Sequence, residues 1–478
     1  MASKKDLVQA QAFSRRRLLT AFVSGAPGGR ELEPTKPLRA VVGGLALTGL
    51  LVAGSLVMGL VRPGLQDGWD HNSLVVTTDG GSRYVALEGV LYPVLNTASA
   101  RLLIASDFHV VQVAEDKIVQ TPRGATVGIP GAPDELPAPD RLVATGWLAC
   151  TDADGATSTV LSSGATPTAL AARADAVASG DEEATGVLVE NAGDLYLLAD
   201  GRRYLVPRES STAVLRAVGQ ETVVPWPVDG RWLNLFPPGA DLDPVVLPET
   251  GSALPPGIAA PPGTMVGSVL ATADGGRYVV DARGDLIRMS DFAEPLYRLG
   301  SGADVPPDIE VTAAQIGELR TAVAVLGGAD WPTTAPTPVP DGLAACALLR
   351  TEEGLRVDLV TTDAVVPEPG VDQVLVDPAA GALVSASGGA GVDGPVQLID
   401  RSGTAFALPD ASEDVLARLG YAGEDITAVP QPWLALFAPG PALTVDAAAQ
   451  AFPAAGGGPL LARRGTCRSS GRRCWAPR

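Results

Sequence analysis

Twenty-two consecutive residues, Ala40 to Val61, carry no charge, and Arg39 and Arg62 frame them. At about 1.5 Å per helical residue, such a run spans roughly the 30 Å hydrocarbon layer of a bilayer. With no charge to interrupt it, the run predicts a transmembrane helix over 40–61 rather than a buried core helix. The rest of the chain is divided by it. Residues 1–39 hold eight basic side chains (Lys4, Lys5, Arg15, Arg16, Arg17, Arg30, Lys36, Arg39) and three acids (Asp6, Glu31, Glu33), a balance of +5. The whole chain is −19, so the remainder is −19 − 5 = −24. The positive-inside rule then puts the N-terminus in the cytoplasm and the long remainder outside, a single-pass protein of the plasma membrane. Ser14 to Leu19 looks superficially like a twin-arginine signal. The apolar run, however, exceeds the core of roughly 7–15 residues in a signal peptide and lacks an Ala-x-Ala end, so it reads as an uncleaved anchor.

Upstream of the anchor, Asp6 to Val23 mixes Leu7, Val8, Phe13, Leu18, Leu19 and Phe22 with arginines. That pattern fits a basic amphipathic helix at the membrane surface or against a partner, the alternative being a solvated positive tail. Downstream, composition sets the class. Gly and Pro together number 55 + 41 = 96, aromatics are 5% and hydrophobic residues 46%. This is too apolar for disorder and too rich in Gly and Pro for a helical bundle, which leaves several small β-containing units. The acidic balance excludes nucleic acid as a partner, since phosphates need clustered Lys and Arg.

The inventory for catalysis is thin. His71 and His109 are the only histidines, and beyond residue 36 the only lysine is Lys117. No G-x-x-x-x-G-K-[ST], G-x-S-x-G or S-x-x-K motif occurs. Gly389 to Gly394 satisfies G-x-G-x-x-G, but Pro395 and a strand-like Val396–Ile399 follow where a helix is required, so a loop is expected. Asp67, Asp70 and His71 sit in a solvated linker just past the anchor. No catalytic, cofactor-binding or metal-binding residue is assigned, and no cofactor.

Four segments beyond the anchor share one pattern: 84–106, 195–219, 278–300 and 396–420. Each is an apolar strand, a turn at Gly89, Gly201, Gly284 or Gly403, a second strand and a short helix. Asp291 with Glu294 and Asp410 with Glu413 have capping-box spacing, and Gly219, Gly300 and Gly420 stand where helices would end. The offsets show a higher order: Gly89 to Gly284 is 195, Cys150 to Cys346 is 196, Trp232 to Trp433 is 201 and Gly201 to Gly403 is 202. Trp232-Leu-Asn-Leu-Phe236 and Trp433-Leu-Ala-Leu-Phe437 close the second and fourth units. Two tandem halves of about 200 residues follow, each repeat–spacer–repeat, with spacers that pair into a central β core. Pro-rich stretches at 130–139, 237–262 and 332–340 read as semi-rigid joints.

The expected class is therefore α+β: one N-terminal transmembrane helix, then an elongated region of four small β-hairpin/α repeats around a central β core with pseudo-twofold duplication. The expected boundaries are 1–39 basic N-terminus, 40–61 anchor, 62–73 linker, 74–106 first repeat, 107–194 first core part, 195–250 second repeat, 251–300 third repeat, 301–395 second core part, 396–450 fourth repeat and 451–478 flexible basic tail. Residues related by a twofold meet each other only near its axis, so a bond between Cys150 and Cys346 is a geometric option in the oxidising outer compartment, with two buried free thiols as the alternative. Cys467 and Cys474 in the tail can pair locally or stay free.

The layout resembles the EccB family, a membrane component of the actinobacterial type VII (ESX) secretion system. The likeness rests on Gln9-Ala10-Gln11-Ala12-Phe13 with Arg15–Arg17, the span closing in Leu60-Val61-Arg62-Pro63-Gly64 with Trp69 beyond, Asp79-Gly80-Gly81-Ser82-Arg83-Tyr84, the two Trp-Leu-x-Leu-Phe tails and the two cysteines. The resemblance implies a cytoplasmic N-terminus, one span, four repeats around a β core and one disulfide, Cys150–Cys346. It further implies a scaffold subunit that organises the outer side of the export channel as a homo-oligomer, with an EccC-type motor ATPase, EccD, EccE and a mycosin protease as partners. Two alternatives stand beside it: an envelope enzyme such as a weak nucleotide hydrolase, as proposed for the family, and a membrane-anchored cell-wall-binding protein. The Arg- and Cys-rich tail departs from the family pattern.

Overall fold

The structure is a computed structural model that describes residues 3–24, 37–60, 69–104, 109–161, 185–352, 354–362, 373–388 and 393–452. The chain divides into two compact units, Met1–Gln66 and Asp67–Arg478. The first contains helix α1 (Lys4–Ser24) and helix α2 (Pro37–Leu60). The apolar side chains expected on an amphipathic N-terminal helix, among them Leu7, Phe13, Leu18 and Phe22, are all exposed on α1. In α2 every described side chain, 41–55, is exposed, and nearly all are apolar. Its two hydroxyls are satisfied within the helix, Thr48 Oγ1 donating to Gly44 O (2.8 Å) and Ser55 Oγ to Val52 O (2.9 Å). Among the described residues no helix is long and apolar enough to cross a membrane. The span expected over 40–61 is therefore not established by the described residues.

The second unit is mixed α+β and built on five main sheets. Four share one order of pairing. In sheet I, Ser73–Thr77, Arg83–Leu87 and Val90–Pro93 form an antiparallel meander, helix Thr97–Leu103 crosses back, and His109–Val113 returns parallel to the first strand on its free side. Sheet II repeats this with Thr185–Asn191, Asp194–Ala199, Arg202–Val206, helix Ser211–Ala217 and Trp226–Pro227. Sheet III uses Val269–Thr272, Arg277–Val280, Leu286–Met289, helix Ala293–Leu299 and Ile309–Val311, with Thr321–Val325 on its far edge. Sheet IV uses Ala382–Ser387, Asp393–Ile399, Thr404–Leu408, helix Glu413–Leu419 and Thr427–Pro430, with Ala438–Pro439 on its edge.

The hairpins expected at the four glycines form by two devices. Glu88-Gly89 and Asp200-Gly201 both have positive φ at each residue, the twist that suits a two-residue hairpin turn. In sheets III and IV an aspartate organises the turn: Asp281 Oδ1 accepts from Arg283 N and Asp285 N (both 2.8 Å), and Asp400 Oδ1 accepts from Ser402 N and Thr404 N (2.9 and 3.1 Å). The capping boxes do not form. Glu294 is drawn off to the Arg277 guanidinium at 2.6 Å, and the helix is capped at Phe292 with the Ser290 hydroxyl accepting from Ala293 N. The other helix is capped at Ser412 without a side-chain bond, while Asp410 holds Ser412 N at 3.1 Å.

The sheets pair off through their helices. Ala98 and Leu102 from sheet I share a core with Leu398, Phe406 and Leu416 of sheet IV. Arg101 Nη1 donates to Leu419 O (2.6 Å) and Arg418 Nη1 to Leu102 O (2.9 Å), so each helix binds the C-terminal carbonyls of the other. Sheets II and III share a second core, in which Tyr204 and Val214 meet Phe292, Leu296 and Tyr297. Each such buried Leu, Val or Phe contributes about 1.5–3 kcal/mol over leaving it in water.

The fifth, central sheet has the order Arg356–Thr362, Ala344–Arg350, Trp147–Thr151, Thr157–Leu161, Gln373–Val376, so it draws on both spacers. The spacers also supply strands elsewhere. His109–Val113 and Thr185–Asn191 fall within 107–194 but complete sheets I and II, and Ile309–Val311 and Ala382–Ser387 fall within 301–395 but complete sheets III and IV. In each small meander the parallel fourth strand covers the free edge of the first strand.

Candidate functional site

The centre of the second unit is an antiparallel ladder between Trp147–Thr151 and Ala344–Arg350. Its partners are Thr151↔Ala345, Cys150↔Cys346, Ala149↔Ala347, Leu148↔Leu348 and Trp147↔Leu349, and every pair sums to 496. Residues i and i + 196 coincide in that register only at Cys150, since 150 + 346 = 496. The two cysteines therefore lie opposite one another at the one point where equivalent positions of the two spacers meet, with Sγ atoms 2.04 Å apart. Alternation along the strands sorts the two faces. Leu148, Cys150, Cys346, Leu348 and Val360 form a small cluster on one face. Trp147, Ala149, Ala345, Ala347 and Leu349 point the other way, into the largest core, where both Trp-Leu-x-Leu-Phe tails are packed.

Those tails are the residues that link the outer sheets to the centre. The Trp232 indole donates Nε1–H to Ala149 O at 2.8 Å and meets Phe236 edge-on at 5.2 Å. Trp433 and Phe437 instead pack edge-on against Trp147, at 6.2 and 5.7 Å. Small residues at 149, 345 and 347 leave room for these rings, which explains why a core strand is written with alanine. Trp433 Nε1 is buried and has no hydrogen-bond partner among the described residues.

Between the two tails lies an open groove of about 680 Å³. Leu235, Phe236, Pro237 and Pro238 line it from one half, and Pro430, Pro432 and Ala435 from the other. Three guanidiniums face it: Arg203 from sheet II, Arg231 from the short helix Gly230–Leu233, and Arg356 at the head of the central edge strand. Among the described residues no carboxylate lines it. Arg231 forms a two-point pair with Asp229, whose carboxyl lies below its usual range because it accepts from Arg231 N and then from the guanidinium. Arg203 Nη1 donates only to neutral acceptors, Leu233 O (3.0 Å) and Asn234 Oδ1 (2.7 Å), and burial lowers its pKa. Arg356 lies 3.6 Å from Asp358, a carboxylate already held at 2.9 Å by Arg350. Arg350 and Arg356 thus both approach Asp358, and Arg203 meets no acid among the described residues.

Of the other residues singled out in the sequence, Asp70 and His71 pair with each other at 3.0 Å in an exposed position, and that hydrogen bond draws the Asp70 carboxyl below its usual value. Asp67, residues 389–392 of the glycine motif, Cys467 and Cys474 lie outside the described residues. Among the described residues no group of three or more His, Cys, Asp or Glu is placed to hold a metal ion. The groove escapes sequence reading because its walls are some 200 residues apart. The only signal was the pair of Pro-flanked Trp-Leu-x-Leu-Phe tails.

The family model described as "Type VII secretion system ESX-1, transport TM domain B" matches residues 1–455. The ESX-2 secretion system ATPase EccB2 of Mycobacterium tuberculosis (strain ATCC 25618 / H37Rv) is 27% identical over 477 residues, 93% of this chain and 94% of that protein. The ESX-3 secretion system ATPase EccB3 of the same strain is 31% identical over 255 residues, 51% of this chain, and the match spans about half of that relative, 45% of its length. Two solved structures are similar in fold. A chain of an intact ESX-5 inner membrane complex matches with TM-score 0.63 and 20% identity, covering 100% of this chain and 98% of that one. The EccB3 dimer from the ESX-3 core complex matches with TM-score 0.61 and 23% identity, covering 80% of this chain and 100% of that one. With a family match that runs from the first residue to residue 455 of 478, the chain belongs to the EccB family of type VII secretion systems.

Proposed function

We propose that the chain is a non-enzymatic scaffold subunit of a type VII secretion membrane complex, which anchors and organises the outer side of the export channel. The observation that carries this reading is the family match over almost the whole chain, combined with a central sheet to which both halves contribute strands and around which four sheets are arranged. In this reading α2 is the single span, supported by the uncharged run 40–61 and by apolar side chains exposed on all sides. The +5 balance of residues 1–39 keeps the N-terminus cytoplasmic. The four outer sheets are one repeated unit and the two halves a duplication. Sheets I and III begin at 73 and 269, 196 apart, and sheets II and IV at 185 and 382, 197 apart. Cys150–Cys346 is the disulfide that ties the halves in the oxidising compartment.

The partners that follow are an EccC-type motor ATPase, EccD, EccE and a mycosin protease, with further copies of this chain. Affinity purification from detergent-solubilised membranes tests this: EccC- and EccD-type proteins should co-elute, and an eluate without them refutes it. A second reading, nucleotide hydrolysis, is favoured only by the names of the mycobacterial relatives. It requires turnover by purified protein that survives removal of contaminants and fails on substitution of one pocket residue.

A further inference from the structure

The geometry points to the groove between the two Trp-Leu-x-Leu-Phe tails as the docking site for an extended, carboxylate-bearing segment of a partner protein. Three observations carry it. First, the charge is out of place. The chain outside residues 1–39 is −24, yet among the described residues this groove has no acidic lining and presents Arg203, Arg231 and Arg356. Second, two of these cations, Arg203 and Arg356, have at most a loose acid partner among the described residues. Arg231 is matched by Asp229, but among the described residues Arg203 donates to a carbonyl and an amide oxygen and meets no acid, and Arg356 stands 3.6 Å from its nearest carboxylate, Asp358. A guanidinium beside low-dielectric walls attracts an anion more strongly than one in open water, so the surplus is focused where a ligand would lie.

Third, the walls suit a peptide better than a compact anion. Four prolines (237, 238, 430 and 432) give a stiff rim without backbone N–H donors, and the surface between them is mostly aliphatic. An extended chain presents side chains alternately, apolar ones to that surface and carboxylates to the arginines, where paired N–H···O contacts match guanidinium geometry. A volume of about 680 Å³ takes a short run of such residues. Arg203 and Phe236 come from one half of the chain and Arg356 and Pro432 from the other, so the bound segment would clamp the two halves across the central sheet.

The test uses the full-length protein in detergent and fluorescence anisotropy with a labelled decapeptide of alternating Glu, Pro and Val. The expected result is saturable binding that weakens with salt. It should fall at least tenfold for the Gln-for-Glu peptide and at least tenfold in Arg203→Gln/Arg356→Gln. Arg356→Glu, a change on a half-exposed side chain, should abolish it while leaving near-UV circular dichroism unchanged. Arg216→Gln, on an exposed residue paired with Glu221, should leave it intact. Four results overturn the inference: no saturable binding, equal affinity for the acidic and neutral peptides, binding insensitive to both arginine changes, or full displacement by millimolar inorganic phosphate, which would make this a small-anion site. Self-association that disappears in the double variant would assign the groove to a second copy and likewise overturn it.

Discussion

Cutting the covalent tie at the centre separates what the ladder holds from what the bond holds. In Cys150→Ala/Cys346→Ala the five residue pairs of the ladder remain, and alanine already occupies positions 149, 345 and 347 beside them. The cost lies mainly in the unfolded chain. A link across 196 residues removes about 18 cal/mol/K of loop entropy, or roughly 5 kcal/mol at 25 °C. Two missing sulfurs in a small apolar cluster add about 1 kcal/mol, and residual structure in the untied unfolded chain removes a comparable amount. The variant should therefore lose about 5 kcal/mol, a large share of the roughly 5–15 kcal/mol of a typical domain. Urea unfolding of the full-length protein, followed by tryptophan fluorescence, reads this directly, because Trp147, Trp232 and Trp433 all pack on the central sheet. The dependence on urea should also steepen, since an untied chain exposes more surface when it unfolds. A loss below about 1 kcal/mol, or a free thiol at Cys150 or Cys346 in non-reducing peptide mapping, would falsify the assignment of the bond.

Three further expectations distinguish positions that look alike in the sequence. Gly201→Ala should cost about 3 kcal/mol or more and Gly89→Ala about 1 kcal/mol in thermal melts, because only at Gly201 would an added Cβ meet a carbonyl, Val357 O at 1.9 Å; equal costs would refute the close approach of that turn to the central edge strand. Trp232→Phe should be about 1 kcal/mol more costly than Trp433→Phe, since only the first removes an indole hydrogen bond, to Ala149 O; chemical denaturation of both decides it. Burial raises the pKa of Tyr204 and Tyr421 and brings Tyr297 to about 12, so the stability they contribute is complete below about pH 10 and drains away above it, as the unfolded phenols ionise first. Absorbance at 295 nm should therefore show these phenols ionising only as circular dichroism is lost, and full titration near pH 10 with the fold intact would count against their burial.

Much of the architecture was legible because its signals are local. X-Gly turns, short helices and the matched cysteines each occupy a few adjacent residues, and the structure has a hairpin at all four glycines. Parallel fourth strands were not legible: His109–Val113 joins Ser73–Thr77 across more than thirty residues, and nothing in a five-residue apolar run names its partner. The capping boxes failed for a related reason. Asp291 and Glu294 have the right spacing, but Arg277 on the neighbouring strand competes for both carboxylates, at 3.5 and 2.6 Å. Spacing records what a side chain can reach along its own segment, and tertiary charge pairs decide what it does reach.

The groove follows the same logic one level higher. On the proposed duplication, the central ladder is an isologous contact of the kind found in twofold dimers, here joined within one chain, and a symmetric contact by itself would make two equivalent walls. The walls are not equivalent. At the Gly201/Gly403 offset of 202, Arg203 corresponds to Ala405, and at the Trp232/Trp433 offset of 201, Arg231 corresponds to Pro432. Arg350 and Arg356 face each other at the end of a hairpin whose strands are seven residues each, where the equivalent strands, Trp147–Thr151 and Thr157–Leu161, are five residues each. Arg203 and Arg231 therefore have no charged counterparts in a framework whose apolar parts, the two Trp-Leu-x-Leu-Phe tails, stay matched. Packing needs explain the matched part, because each half must cover its own face of the sheet. They do not explain why guanidiniums gather in a region of strongly negative charge, where among the described residues Arg203 meets no acid to offset its desolvation. A one-sided ligand would supply the compensating interaction, since a single extended chain crossing a twofold meets different residues on its two sides. The asymmetry thus predicts one segment bound per chain in one direction, and a 2:1 stoichiometry in the peptide titration would contradict it.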